Sequence, residues 1–427
     1  MAKSLNTGDT AWVIVSAALV LFMTPGLALF YGGMVRAKHV LGMLMQNFFS
    51  IGLISVIWAV VGYSLAFGGT GKWIGNFDFA GLKNVATSYP GGNHANVAWF
   101  GLFTIPPLIF MAYQMMFAVI TPALITGAIA DRMRFTAWVW FLGLWSILVY
   151  SPVAHWVFAP SGWLFARGAL DFAGGTVVHI NAGIAALVCV LVLGKRRGWP
   201  TRPMPPHNLP LTMIGTGILW FGWFGFNAGS ALGANNLAAQ AFVNTNLAAA
   251  AAMLSWLAAE KLRQGHATTL GAASGAVAGL VAITPCAGFV GGMAPIYIGA
   301  ITGVVCFFAI NLKTKFGFDD TLDVIGVHLV GGILGSLLLG LFADQTFIQR
   351  TAGLGADGLF FGGGTKLLVN QLLAVGATLA FSGVVSFVII KVLAVVLPGG
   401  IRVSEEDEET GLDLTLHSEV GYALQSQ

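Results

Sequence analysis

Eleven stretches of this chain are apolar over the length of about 20 residues at which a helix spans the hydrocarbon core of a bilayer. They lie near residues 9–31, 40–67, 100–130, 135–155, 172–194, 210–232, 238–260, 269–289, 293–312, 324–342 and 367–397. The stretch between Arg202 and Glu260 holds no Asp, Glu, Lys or Arg and is too long for one helix, so Gly233-Ala234-Asn235-Asn236 supplies a turn. Charged residues make up only 9% of the chain, against about 25% in soluble domains, and hydrophobic residues 57%. Mean hydropathy is +0.82. The fold class is therefore an all-α polytopic membrane protein.

The small net charge of +3 gives no pointer to nucleic acid, because the basic residues sit in short loops. Cys189, Cys286 and Cys306 stand within apolar runs at no metal-ligand spacing, so neither a metal site nor a disulfide framework is expected. The start, M-A-K-S-L-N-T-G-D, does not read as a signal peptide.

Eleven crossings place the termini on opposite sides. If the N-terminus is outside, fourteen Lys and Arg, from Arg36 to Arg402, fall on one face, and six (Lys3, Lys72, Lys83, Arg167, Arg350 and Lys366) on the other. The positive-inside rule then sets the N-terminus outside and the C-terminal tail in the cytoplasm. Five crossings, five more and a final helix would form an inverted pseudo-repeat, an arrangement that places the site between the halves. V-V-H-I-N-A-G in the fifth run echoes G-V-H-L-V-G-G in the tenth.

That echo contains His179 and His328, the titratable groups of the apolar core. A lone histidine in an apolar helix is more often a packing residue, but an ionisable group at membrane depth also marks pathways. No Asp, Glu, Lys or Arg lies mid-span, whereas ion-coupled carriers keep a carboxylate there. No carbonyl-lined filter segment is evident either. A charge left at the centre costs at least several kcal/mol, so the crossing species is expected to be small and neutral. Gly271, Gly275 and Gly279 form a packing stripe.

The block D-F-A-G-G-T-V-V-H-I-N-A-G-I-A-A-L-V-C-V-L-V-L-G-K-R from Asp171 closely resembles the signature of the ammonium transporter family (Amt/Rh). F-Y-G-G-M-V-R at Phe30, G-A-I-A-D-R at Gly127, G-W-F-G-F-N-A-G-S at Gly222 and I-T-P at Ile283 match as well. The tail from Arg402 resembles that of the Amt branch. The resemblance covers nearly the whole chain and implies an eleven-helix homotrimer with one pore per subunit. It implies a membrane domain over 1–398 and a cytoplasmic regulatory tail over 399–427.

By the same resemblance His179 and His328 are pore-lining twin histidines, Phe117 and Phe226 a phenylalanine gate, and Trp223 a pore-lining residue. Ser230 belongs to an outer ammonium recruitment site. There the family usually has A-H-x-x-W-G-G-G; this chain reads A-H-W-V-F-A-P-S-G-W from Ala154, so Phe158 takes the tryptophan's place with one residue inserted after it. Phenylalanine holds a cation less firmly than tryptophan, and Trp156 or Trp163 are candidate substitutes. Tyr113 stands where phenylalanine is common and adds a hydroxyl. Asp171 reads as a helix cap, with cation attraction or deprotonation as the rival role. Thr284 either donates into the pore or back-bonds within its own helix. His39 and His155 read as interfacial.

The expected function is ammonium/ammonia transport across the cytoplasmic (inner) membrane of a bacterium or archaeon, serving nitrogen uptake without a cofactor. The resemblance implies that the Lys195–Pro210 loop can receive a PII-type regulatory protein. The acidic run Glu405–Glu409 alone would read as solvated and disordered, and the family context implies an ordered tail. The alternative is an ammonium sensor reporting through that tail. An enzyme is not expected, since no H-E-x-x-H, paired mid-span aspartates or serine–histidine arrangement occurs.

Overall fold

The computed structural model describes residues 5–85, 103–347 and 355–422. Lys3 and Arg350 of the orientation count, and the first three residues of the 100–130 run, lie outside them. The described residues form helices and the loops between them. Ten helices are long and apolar enough to cross a membrane: α1 Thr7–Met34, α2 Ala37–Phe67, α3 Pro107–Ile129, α4 Phe135–Arg167, α5 Gly175–Leu193, α6 Leu209–Ala231, α7 Asn236–Gln264, α9 Ala294–Phe316, α10 Ile325–Phe342 and α11 Lys366–Val396. This is a multi-pass membrane protein.

The eighth run departs from expectation. Its helix, α8, covers only Thr269–Ile283, 15 residues, and the chain continues through Thr284 and Pro285 as turns. Proline lacks an amide N–H and clashes with the preceding turn, which ends the helix there. α4 runs past its expected end at 155 and breaks between Phe158 and Trp163.

Small residues set the packing distances. On α6, a Cβ at Gly215 would lie 2.2 Å from the Phe30 amide nitrogen of α1, so those two backbones touch. The stripe Gly271, Gly275, Gly279 of α8 lies against Glu260, Trp256 and Ala248 of α7, and Gly299 of α9 meets the Ala248 backbone of the same helix. Close approach of this kind is how helices associate in lipid, where apolar burial gives no preference.

After α11 the chain folds back beneath the bundle. Met133 and Arg402 form a short antiparallel bridge, and the Val403 amide donates to the Arg132 carbonyl at 3.0 Å. Two short helices follow, α12 Glu405–Thr410 and α13 Leu412–His417. The acidic run is thus helical and paired. Arg402 holds the buried Glu408 at 2.9 Å, and Arg197 and Arg202 hold Glu409 at 3.2 and 3.1 Å. The Lys195–Pro210 loop also carries Arg196, which binds Asp319 at 2.8 Å, so it is built into this face.

Candidate pore

Each histidine helix opens on an aspartate that accepts its first free amides, half-buried at Asp171 and buried at Asp320. Asp171 Oδ1 accepts from the Gly174 and Gly175 amides at 2.8 and 2.7 Å, and Oδ2 from Thr176 and Val177 at 2.8 and 3.2 Å. Burial raises the pKa of this carboxyl, and those amide bonds offset only part of that. Asp320 does the same for α10, accepting from Val324 at 3.2 Å and Ile325 at 2.7 Å. Burial, and then the neighbouring Asp323 carboxylate, push its pKa up to about 7.

Sequence reasoning did not single out Asp320. The spacing could have found it: Asp171 to His179 and Asp320 to His328 are both eight residues. Both histidines also sit in a widened i→i+5 turn, over Gly175–Ile180 and Ile325–Leu329. Such turns are rare and concentrate at functional sites.

His179 and His328 face each other, Nδ1 to Nδ1 at 3.2 Å, with ring centroids 5.3 Å apart. One Nδ1 must donate and the other accept. In neutral rings the donor's Nε2 is then an acceptor and its partner's Nε2 a donor. The pair therefore offers one group of each kind. His179 Nε2 is buried and has no hydrogen-bond partner among the described residues.

Beside the pair lies a cavity of about 10 Å³, room for roughly one water-sized molecule. Its other lining residues are apolar or aromatic, among them Leu27, Ile120, Leu124, Trp223 and Phe226. Phe226 lies 6.1 Å from His179 and 4.4 Å from Phe117, centroid to centroid, and Phe117 lies 4.9 Å from Tyr113. The structure thus brings Tyr113, Phe117, Phe226, His179 and His328 into one column, flanked by Trp223 at 5.5 Å from His179.

Thr284 does both things its chemistry allows, but neither reaches into the cavity. Its hydroxyl donates to the Leu280 carbonyl at 2.7 Å and accepts from Trp223 Nε1 at 2.8 Å. Thr284→Val keeps the shape and leaves the indole N–H buried without a partner. The expected cost is about 1–3 kcal/mol of stability. Thermal unfolding in detergent checks this, and an unchanged midpoint would contradict it.

At the end of the column away from the tail, the Tyr113 hydroxyl is bound to the chain. It lies 2.9 Å from the Gly225 and Phe226 carbonyls and 3.1 Å from Ser230 Oγ, which itself donates to the Phe226 carbonyl at 2.8 Å. Tyr113 and Ser230 are therefore one assembly. Phe158 does not join it: half-buried at a helix end, it makes no ring contact with Tyr113 or Phe117 among the described residues.

Trp156 and Trp163 are turned elsewhere. They pack on each other and on Trp73, and Trp156 donates to the Trp73 carbonyl at 2.6 Å. His155 is fully buried, not interfacial, with ring nitrogens 2.8 and 2.6 Å from the Ala66 and Gly71 carbonyls. His39 is buried too.

A sequence profile described as Ammonium Transporter Family matches residues 11–422. An ammonium transporter of Mycobacterium tuberculosis is 51% identical over 97% of this chain and 90% of its own length. One from Bacillus subtilis is 49% identical over 98% of this chain and 99% of its own. The crystal structure of Saccharomyces cerevisiae Mep2 superposes with a TM-score of 0.86 at 36% identity, covering 95% of this chain and 89% of that one. A solved sensor Amt protein matches with a TM-score of 0.84 at 28% identity, over 96% of this chain and 98% of its own. With its profile match, these relatives and the shared fold, this chain belongs to the ammonium transporter family.

Proposed function

We propose that this chain carries ammonium across the cytoplasmic membrane and passes it through the centre as ammonia. The observation that carries the reading is the column itself: a donor–acceptor histidine pair inside an apolar bore, reached past Phe117 and Phe226. Ammonium and potassium share charge and approximate radius, so size does not separate them. Ammonium donates hydrogen bonds and can lose a proton. The cation is held near Tyr113 and Ser230. It gives up a proton there to water on the outer side, and ammonia crosses to His179 and His328. Ammonia both donates and accepts, which suits a pair offering one group of each kind.

In this reading α8 is the eleventh crossing, completed by the turns after Ile283. The aspartate–histidine spacing supports two halves of opposite orientation, with the N-terminus outside and the tail in the cytoplasm. The chain assembles as a homotrimer in a bacterial or archaeal inner membrane. Residues 1–398 form the membrane domain and 399–427 a regulatory tail, beside which a PII-type protein docks on the basic loop. The similarity to a sensor Amt protein keeps a sensor as the second reading.

Stopped-flow mixing of vesicles carrying a pH dye separates the two. An imposed ammonium gradient should change internal pH faster than in empty vesicles. Ammonium binding with flux no faster than in empty vesicles would favour the sensor. In the same assay Tyr113→Phe, which removes the Tyr113 hydroxyl and leaves Ser230 only its bond to the Phe226 carbonyl, is expected to raise the half-saturating ammonium concentration several-fold, on the order of one hydrogen bond. An unchanged value would remove Tyr113 from recruitment.

A further inference from the structure

We propose that the tail's hold on the membrane helices is released when His39 takes up a proton. The Leu412 amide, the first residue of α13, donates to His39 Nδ1 at 3.3 Å. In the docked tail that nitrogen therefore carries no proton, and the neutral ring is protonated at Nε2. The same Nδ1 lies 4.0 Å from Asp131 Oδ1, a buried oxygen that accepts no hydrogen bond among the described residues. The other oxygen, Oδ2, is taken by Arg36 at 3.0 Å and Arg196 at 3.6 Å.

A proton added at Nδ1 turns an acceptor into a donor. It then opposes the Leu412 N–H and gives Asp131 Oδ1 the partner it lacks. A shift of about 1 Å brings the two to ordinary hydrogen-bond length. A small cavity beside the ring, bounded by Gly42, Gln46, Leu416 and His417, leaves room for it.

The charged and titratable groups facing His39 come from every neighbour. Arg36 and Lys38 lie on its own segment, Asp131 and Arg196 on the loops beneath, and Asp413 and His417 on the tail. Asp413 accepts from the Leu41 and Gly42 amides at 3.0 and 2.8 Å, so α13 is pinned at two adjacent residues. Protonation removes one pin. The proposal concerns the tail and does not depend on what the pore conducts.

Hydrogen–deuterium exchange of residues 411–417 in the purified full-length protein tests it, at about pH 7.5 and about pH 6, either side of histidine's ordinary range. After correction for intrinsic rates, protection should fall on the order of tenfold at the lower pH. His39→Asn places an amide oxygen where Nδ1 stood, an acceptor that does not titrate, and should keep protection at both values. Unchanged protection in the parent would overturn the proposal. So would an equal fall in His39→Asn, which would assign the effect to His417 or to His207, the residue that holds Tyr422. If His39→Asn does not fold, the double variant His207→Gln/His417→Gln decides: a retained pH response supports the proposal and a lost one overturns it.

Discussion

Replacing His179 with Asp is expected to admit potassium, with conductance rising on the order of tenfold or more above the parent. In the proposed function the centre of the bore excludes a bare cation because it offers no compensating charge. His179, His328 and apolar side chains line its cavity. A carboxylate at that depth attracts cations directly and offsets part of a dehydration cost of several kcal/mol. Each 1.4 kcal/mol recovered is about a factor of ten. The same change deprives His328 of its Nδ1 partner, now 3.2 Å away, so water should enter. His179→Ala should also wet the bore or stop conduction. A His179→Asp protein that moved ammonium at the parental rate with potassium still excluded would show the histidines to be packing residues.

Asp171→Asn is expected to cost more stability than any other single change at the helix starts, roughly 3–5 kcal/mol. Four amide N–H groups share this carboxylate within 3.2 Å, and the residue is only partly exposed to solvent. An asparagine supplies one acceptor oxygen and turns an NH₂ toward the remaining amides. Each buried donor left without a partner costs about 1–3 kcal/mol. Asp320→Asn, with two amide partners, should cost about half as much. Thermal unfolding of the purified variants checks the order. Equal, small shifts would mean that Asp171 acts on the passing cation and not as a cap.

The crossings were legible because the bilayer imposes a length on them. The miss at α8 shows the limit: hydropathy continues to 289, but Pro285 stops the helix, and an average over apolar residues does not register one missing amide. The twin histidines and the phenylalanine pair were legible through motifs, and the structure sets them in one column. The far end of that column was not. The break after Phe158 falls in a loop, where no periodicity fixes a side chain's direction. Phe158 therefore stays apart, and Trp156 and Trp163 pack on Trp73. Tyr113 was read as an added hydroxyl. That its hydroxyl would meet the carbonyls ending α6, held there because α3 and α6 both pack on α1, lay beyond any local pattern. The acidic tail was misleading in isolation because its partners, Arg197 and Arg202, lie about two hundred residues away in sequence.

The most direct measurement is the current across proteoliposomes holding the intact protein, driven in turn by equal gradients of ammonium and potassium. An aromatic-gated, apolar bore with one donor and one acceptor at its centre predicts transport of ammonium with no potassium current. Whether charge accompanies the ammonia is read from the same trace against dye-reported internal pH. A potassium current above that of empty vesicles and equal to the ammonium current would contradict the account.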